Sequence, residues 1–189
     1  MNTGTCQPAA RPARRLPRRD RGFTLVELMA VVGVATLGIA IGLPSFASLL
    51  RRERDTLVAN QLASYMASAR STAVTYRKRT AVCPYDGLGG CRDGSDWSGG
   101  WIMFYDTDGD RQPDDPTDIM RIEHPPNDPE LRIVSSSGRP QIGFLPSGTT
   151  NGSNLTLRIC RNGILRKAVI VSLVGRTRVE DAASRPCME

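Results

Sequence analysis

Between Phe23 and Leu50 the chain carries a single charged side chain, Glu27, in an otherwise apolar run, "FTLVELMAVVGVATLGIAIGLPSFASLL". About 28 residues in a helix extend roughly 42 Å, and a bilayer's hydrocarbon core is about 30 Å thick. The run is therefore long enough to span a membrane, and the sequence implies a span from residue 23 to about residue 50. The segment before it, "MNTGTCQPAARPARRLPRRDRG", carries six arginines against one aspartate and has Pro at positions 8, 12 and 17. It has no apolar periodicity, and positive charge beside an apolar run favours retention on the cytoplasmic side. The layout parallels the charged and apolar regions of a secretory signal, but no clear small-residue cleavage site follows Ala47-Ser48. The formal charge of the whole chain is +6. Most of it sits in these first residues, so basicity alone does not mark a nucleic-acid binder.

Glu27 is the informative exception. An ionised carboxylate in hydrocarbon costs several kcal/mol on most scales, so it needs a proton or a partner. The stretch "RGFTLVEL" closely resembles the processing site of type IV prepilins and type II secretion pseudopilins. The resemblance implies that a prepilin peptidase cuts between Gly22 and Phe23 and that the new N-terminus, Phe23, is methylated. It also places Glu27 at mature position five, where it would meet the α-amine of a neighbouring subunit and fix the axial register of assembly. Residues 1–22 would be the leader.

The segment from Leu50 to Thr80 contains neither Pro nor Gly, and Leu50, Val58, Leu62, Tyr65, Ala69, Ala73 and Tyr76 recur at helical steps. This pattern predicts a helix over 23–79, with its second half packed under a globular domain. Pro44 is expected to break or kink the apolar half, and Arg77-Lys78-Arg79 suits a helix C-terminus. Beyond Thr80, short β-type runs alternate with Gly, Pro, Asp and Ser. Strands are expected near 80–83, 101–105, 118–123, 131–135, 141–145, 155–160 and 167–174. Asn162-Gly163 signals a two-residue hairpin joining the last two strands. The expected fold class is α+β: a long N-terminal helix against an antiparallel β domain at 80–189. The layout is similar to minor pilins of the FimT/FimU/GspH group, which implies an inner-membrane, single-pass protein with a periplasmic globular domain and a place in a surface pilus after assembly. The partners implied are other pilins, the peptidase and the membrane.

Four cysteines follow the leader: Cys83, Cys91, Cys160 and Cys187. An even number in an exported domain suggests disulfides, and three pairings are possible. The shortest loop closures favour Cys83–Cys91 and Cys160–Cys187. The spacings fit a zinc site poorly.

No catalytic constellation is legible, and the expectation is a non-enzymatic protein without cofactors. The lone histidine, His124, sits beside two prolines. Asp106, Asp108, Asp110 and Asp114 fall at positions 1, 3, 5 and 9 of a calcium loop, but Arg111 stands at position 6 and Thr117 at position 12. A solvated turn is the better reading.

Charge in the mature chain is segregated. Residues 86–130 hold twelve acids against three arginines. Residues 155–179 hold Arg158, Arg161, Arg166, Lys167, Arg176 and Arg178 with no acid. Such a stretch attracts phosphate backbones without reading sequence. "GRTR", Gly175 to Arg178, resembles the Gly-Arg-x-Arg motif of FimT-type minor pilins, which implies double-stranded DNA as a partner in natural transformation. Arg176 and Arg178 would share one face of an extended segment. The competing reading pairs these arginines with the acidic segment, leaving a FimU-like assembly pilin or a GspH-like secretion pseudopilin. No aromatic residue follows Phe144, so base stacking has no platform there.

Overall fold

The structure, a computed structural model, describes residues 22–152 and 154–187. The side chains of residues 41, 42, 44, 45, 183 and 184 lie outside that description. The expected leader lies outside it too, except Gly22. The chain divides into two compact units, Met1–Phe46 and Ala47–Glu189.

The first unit contributes the beginning of helix α1 (Leu25–Tyr76). Every described side chain from Leu25 to Ile39 is exposed, and most are large and apolar. Among the described residues no helical stretch is long and apolar enough to cross a membrane. The expected span covers residues 41, 42, 44 and 45, whose side chains fall outside the description. The helix runs through Pro44 without a break; proline removes one backbone hydrogen bond, and the turns on either side hold.

In the second unit α1 shows the amphipathic stripe the sequence implies. Val58, Leu62, Tyr65, Ala69 and Ala73 are buried, together with Ala59 and Met66. Leu50 and Tyr76, the two ends of the stripe, are exposed. The helix stops at Tyr76, three residues early, where Arg77 turns left-handed at φ 53°.

The rest folds into two four-stranded antiparallel sheets. The first holds β1 (Thr80–Pro84), β2 (Trp101–Tyr105), β3 (Ile119–Glu123) and β5 (Ile142–Phe144), in the order β3-β2-β1-β5. The second holds β4 (Leu131–Ser135), β6 (Leu155–Arg161), β7 (Ile164–Val171) and β8 (Thr177–Pro186), in the order β4-β6-β7-β8. The hairpin at Asn162-Gly163 forms, with φ of 51° and 74°, and joins β6 to β7. These are not the last two strands. β7 begins and ends three residues before the expected 167–174, and β8 was not expected at all. It reads "TRVEDAASRP", with too little apolar alternation to signal a strand, and it is held by backbone pairing along β7.

One core joins the helix to both sheets. The stripe packs with Val82, Trp101 and Met103 from the first sheet and with Ile133, Leu157, Ile159, Val169 and Val171 from the second. Tyr65 donates its hydroxyl to the Arg121 carbonyl at 2.6 Å and meets Trp101 edge to face. Burial pushes the Tyr65 phenol well above its ordinary pKa. The far face of each sheet has a smaller cluster, and each cluster contains one disulfide: Cys83–Cys91 in the first, Cys160–Cys187 in the second.

A buried guanidinium ties the helix to the second sheet. Arg161 donates Nε and Nη2 to Asp55 Oδ1 at 2.9 and 2.8 Å, and Nη1 to Asp128 at 2.7 Å and Glu130 at 3.2 Å. The Arg161 and Asp55 side chains are 4% and 2% exposed. This corrects the reading of Arg161 as a DNA contact. It stands on the helix-facing side of β6, and the acidic segment neutralises it through Asp128 and Glu130.

Removing one partner of a buried pair strands the other. Arg161→Ala is expected to cost about 3–5 kcal/mol, read by urea unfolding. Asp128 gives a pH signature. Its hydrogen bond from Arg161 holds the carboxyl below its usual range. That stabilisation is complete above the ordinary carboxylate pKa and is lost as pH falls through the lowered folded value. The unfolding midpoint should drop in that acid window, and drop less steeply in Arg161→Gln.

Candidate functional site

Two regions hold the residues that the sequence singles out. The first is the start of α1. Gly22, Phe23 and Thr24 precede the helix in irregular backbone, and nothing lies within 4 Å of where a Gly22 Cβ would sit. Phe23 is exposed. The Gly22–Phe23 bond is thus exposed and outside regular structure. Thr24 caps the helix: its hydroxyl accepts from Glu27 N–H at 3.3 Å and its carbonyl from Leu28 N–H at 3.1 Å. Sequence reasoning assigned Glu27 a role and overlooked Thr24, although Thr-x-x-Glu is a capping pattern. A first-turn carboxylate is also favoured by the helix dipole, so Glu27 suits its place before any partner arrives.

The second region is the outer face of the second sheet. Leu155, Leu157 and Ile159 of β6 point to the helix, so Thr156 and Arg158 point away. On β8, Val179 packs inward, so Arg178 and Glu180 point outward. Pairing sets Thr156, Ile170 and Arg178 in one cross-strand row and Arg158, Ala168 and Glu180 in the next. Arg176 is exposed at the entry to β8 and has no ion pair among the described residues. Arg178 and Arg158 therefore lie on the same side of the sheet, whereas Arg176 precedes the strand and lines, with Gly175 and Thr177, a cleft against Arg70, Ser71 and Val74 of the helix. Arg178 Nε meets Glu180 at 2.7 Å; both groups are about half exposed, so the pair holds the guanidinium weakly.

The six cations do not form one field. Val171 pairs with Thr177 at one end of the β7–β8 ladder, while Lys167 pairs with Asp181 toward the other. Lys167 is ion-paired to Asp181 and Arg161 is buried, so neither supports a phosphate contact beside Arg176. Arg166 lies with Lys167 at that far end, beside helix residues Arg52 and Asp55.

Gly175 is fixed by packing. Its φ is +75°, and a Cβ there would stand 2.1 Å from the Gly148 carbonyl oxygen and 2.9 Å from Arg70 Nε. Arg70 donates to that same carbonyl at 2.8 Å. The glycine lets the β7–β8 turn lie against the Gly148 loop and the helix.

The remaining candidates have structural roles. Cys83 and Cys91 are bonded with Cα atoms 5.5 Å apart, and Cys160 and Cys187 with Cα atoms 6.1 Å apart. His124 Nδ1 lies 3.1 Å from the Gly99 carbonyl, and its ring meets Tyr85 edge to face. Asp106, Asp108 and Asp110 bring carboxylate oxygens within 4.8 Å of one another. Each accepts a loop backbone N–H, from Arg111, Asp110 and Gln112 respectively. Asp108, foremost among these neighbouring carboxylates, pushes the Asp114 carboxyl up.

A capped apolar helix, packed through its second half against two antiparallel sheets, defines a pilin-like subunit. Comparison with known proteins agrees. The family model described as "Type II transport protein GspH" matches residues 58–175, and the prokaryotic N-terminal methylation motif matches residues 17–43. The chain belongs to the GspH family. It is 34% identical over 79 residues to prepilin peptidase-dependent protein D of Escherichia coli (strain K12), a match spanning 41% of this chain and 47%, about half, of that protein. The type IV minor pilin FimU of Pseudomonas aeruginosa (strain PAO1) is similar in structure, with a TM-score of 0.58, 21% identity and coverage of 73% of this chain and 98% of that one. A second crystal form of FimU gives a TM-score of 0.52 at 20% identity, over 70% and 99% of the two chains. At such identity the likeness speaks for the fold.

Gly175→Ala should lower stability by about 1–3 kcal/mol through its left-handed backbone alone, with more from the clash at Gly148. Thermal unfolding of the variant, beside Gly163→Ala in a turn where a Cβ would meet nothing within 4 Å, separates the two contributions.

Proposed function

We propose that this minor pilin-like chain is cut between Gly22 and Phe23, methylated at Phe23, and held in the inner membrane by its apolar helix as a single-pass protein. Its β domain stands in the periplasm. On assembly into a pilus, Glu27 meets the α-amine of a neighbouring subunit, and Arg176, Arg178 and Arg158 contact double-stranded DNA for uptake. One observation carries the DNA reading: Arg158 and Arg178 stand on the sheet face turned away from the helix, Arg176 is exposed at the entry to β8, and Arg176 and Arg158 have no acid partner among the described residues. Phosphate contacts made this way position a duplex and read no sequence.

An assembly role for the same face, in a pilus or in a type II secretion filament, is the second reading. It is favoured by the Arg178–Glu180 pair and by the packing role of Gly175, each of which explains part of the motif without DNA.

DNA binding by the purified full chain across a salt series tests the proposal. Each phosphate contact adds about −0.9 to the log–log salt slope. Arg176→Gln and Arg178→Gln should each reduce the slope by about one unit and weaken all sequences alike. If the double variant keeps its DNA affinity but forms no fibres, those arginines are subunit contacts. Processing has its own check: a bulky residue at Gly22 should leave uncut precursor, and mass spectrometry of wild-type protein should find Phe23 at the mature N-terminus.

A further inference from the structure

A cleft of about 290 Å³ opens where the second sheet meets the first turns of α1 beyond the apolar run. Its walls are Arg52, Asp55 and Thr56 from the helix, Arg166 and Lys167 from β7, and Asp181 and Ala182 from β8. Three cations and two acids line it, and both acids are already committed. Asp55 is held by the buried Arg161, outside the cleft, and Asp181 by Lys167. Arg52 and Arg166 have no ion pair among the described residues. Their neighbours Arg51 and Arg54 differ: Arg51 lies 4.0 Å from Glu130, and Arg54 acts electrostatically on Asp128. Arg52 lines the cleft instead. Arg166 Nε is shielded from solvent and has no hydrogen-bond partner. The β7–β8 register shifts between Leu165 and Lys167, so the pairing is irregular where Arg166 stands.

We propose that this cleft binds a phosphate-bearing anion, with Arg52 and Arg166 as its contacts, Lys167 being held by Asp181. Two uncompensated guanidiniums facing one small cleft form a fork suited to tetrahedral oxyanions. The volume accommodates one phosphate or a glycerophosphate headgroup and excludes a duplex. The position favours an anionic phospholipid headgroup as the source: Arg52 follows the last apolar residue of the run, Leu50, by two positions, at the level where an apolar helix would emerge into headgroups. This site is independent of the proposed DNA face.

The test is isothermal titration of the full chain in dodecyl maltoside at constant chloride, with inorganic phosphate and with dihexanoyl phosphatidylglycerol as probes. Saturable one-site binding is expected, weakened about tenfold by Arg52→Gln or Arg166→Gln, the scale of one charge-assisted hydrogen bond. Arg178→Gln should leave it unchanged, and Arg52→Gln should leave DNA affinity unchanged. Tighter binding of the lipid than of phosphate identifies a headgroup site; equal binding identifies a free-anion site. No saturable binding of either probe, or full affinity in Arg52→Gln/Arg166→Gln, overturns the proposal. Should Arg166→Gln fail to fold, Arg52→Gln decides alone, because Arg52 is an exposed helix residue that makes no core contact.

Discussion

The ion pair between Arg161 and Asp55 joins parts of the chain that lie 106 residues apart. Apolar packing alone would let α1 slide along the sheets, because a stripe of alanines and aliphatic side chains is tolerant of small shifts. A guanidinium with four charge-assisted hydrogen bonds is not. Burying it is costly, and the geometry offsets the cost only if Asp55, Asp128 and Glu130 all arrive together. That requirement fixes the depth at which β6 meets the helix, and with it the positions of β7 and β8 on either side of the cleft and the outer face.

Strand alternation then sorts the basic segment. From Arg158 to Arg178 the sequence holds six cations and no acid, but the pleat sends Arg158 and Arg178 to one face and Arg161 to the other. The length of β7 separates Lys167 from Arg176. One electrostatic patch in the sequence becomes three environments: a buried staple, a sheltered cleft and an open face.

The helix stripe, the hairpin at Asn162-Gly163 and seven of the eight strands, β7 with an offset of three residues, were legible because each rests on local chemistry: a period of 3.6, a pair of residues that tolerate positive φ, or short β-branched and aromatic runs. β8 was not legible, because its stability comes from pairing with β7 and not from its own side chains. Arg161 was misread for a related reason. Nothing near it in sequence announces Asp55, and a net-charge count cannot tell an exposed cation from a neutralised one. Thr24 could have been found, since its capping pattern is local. The role of Gly175 could be seen only once Gly148 and Arg70 were placed beside it.

The first part of α1 is apolar on every face, and its exposed side chains from Leu25 to Ile39 favour no direction around the axis. Such a rod resists being pulled out of apolar surroundings but hardly resists being spun within them. The subunit contact proposed for Glu27 would set its height and leave its azimuth free. The rotational degree of freedom of a subunit must therefore be removed by groups that break the symmetry, and those begin with the polar and packed residues after Ala47. A filament built from such chains would set its rise through the rod and its twist through the β domain, so the two helical parameters could change independently.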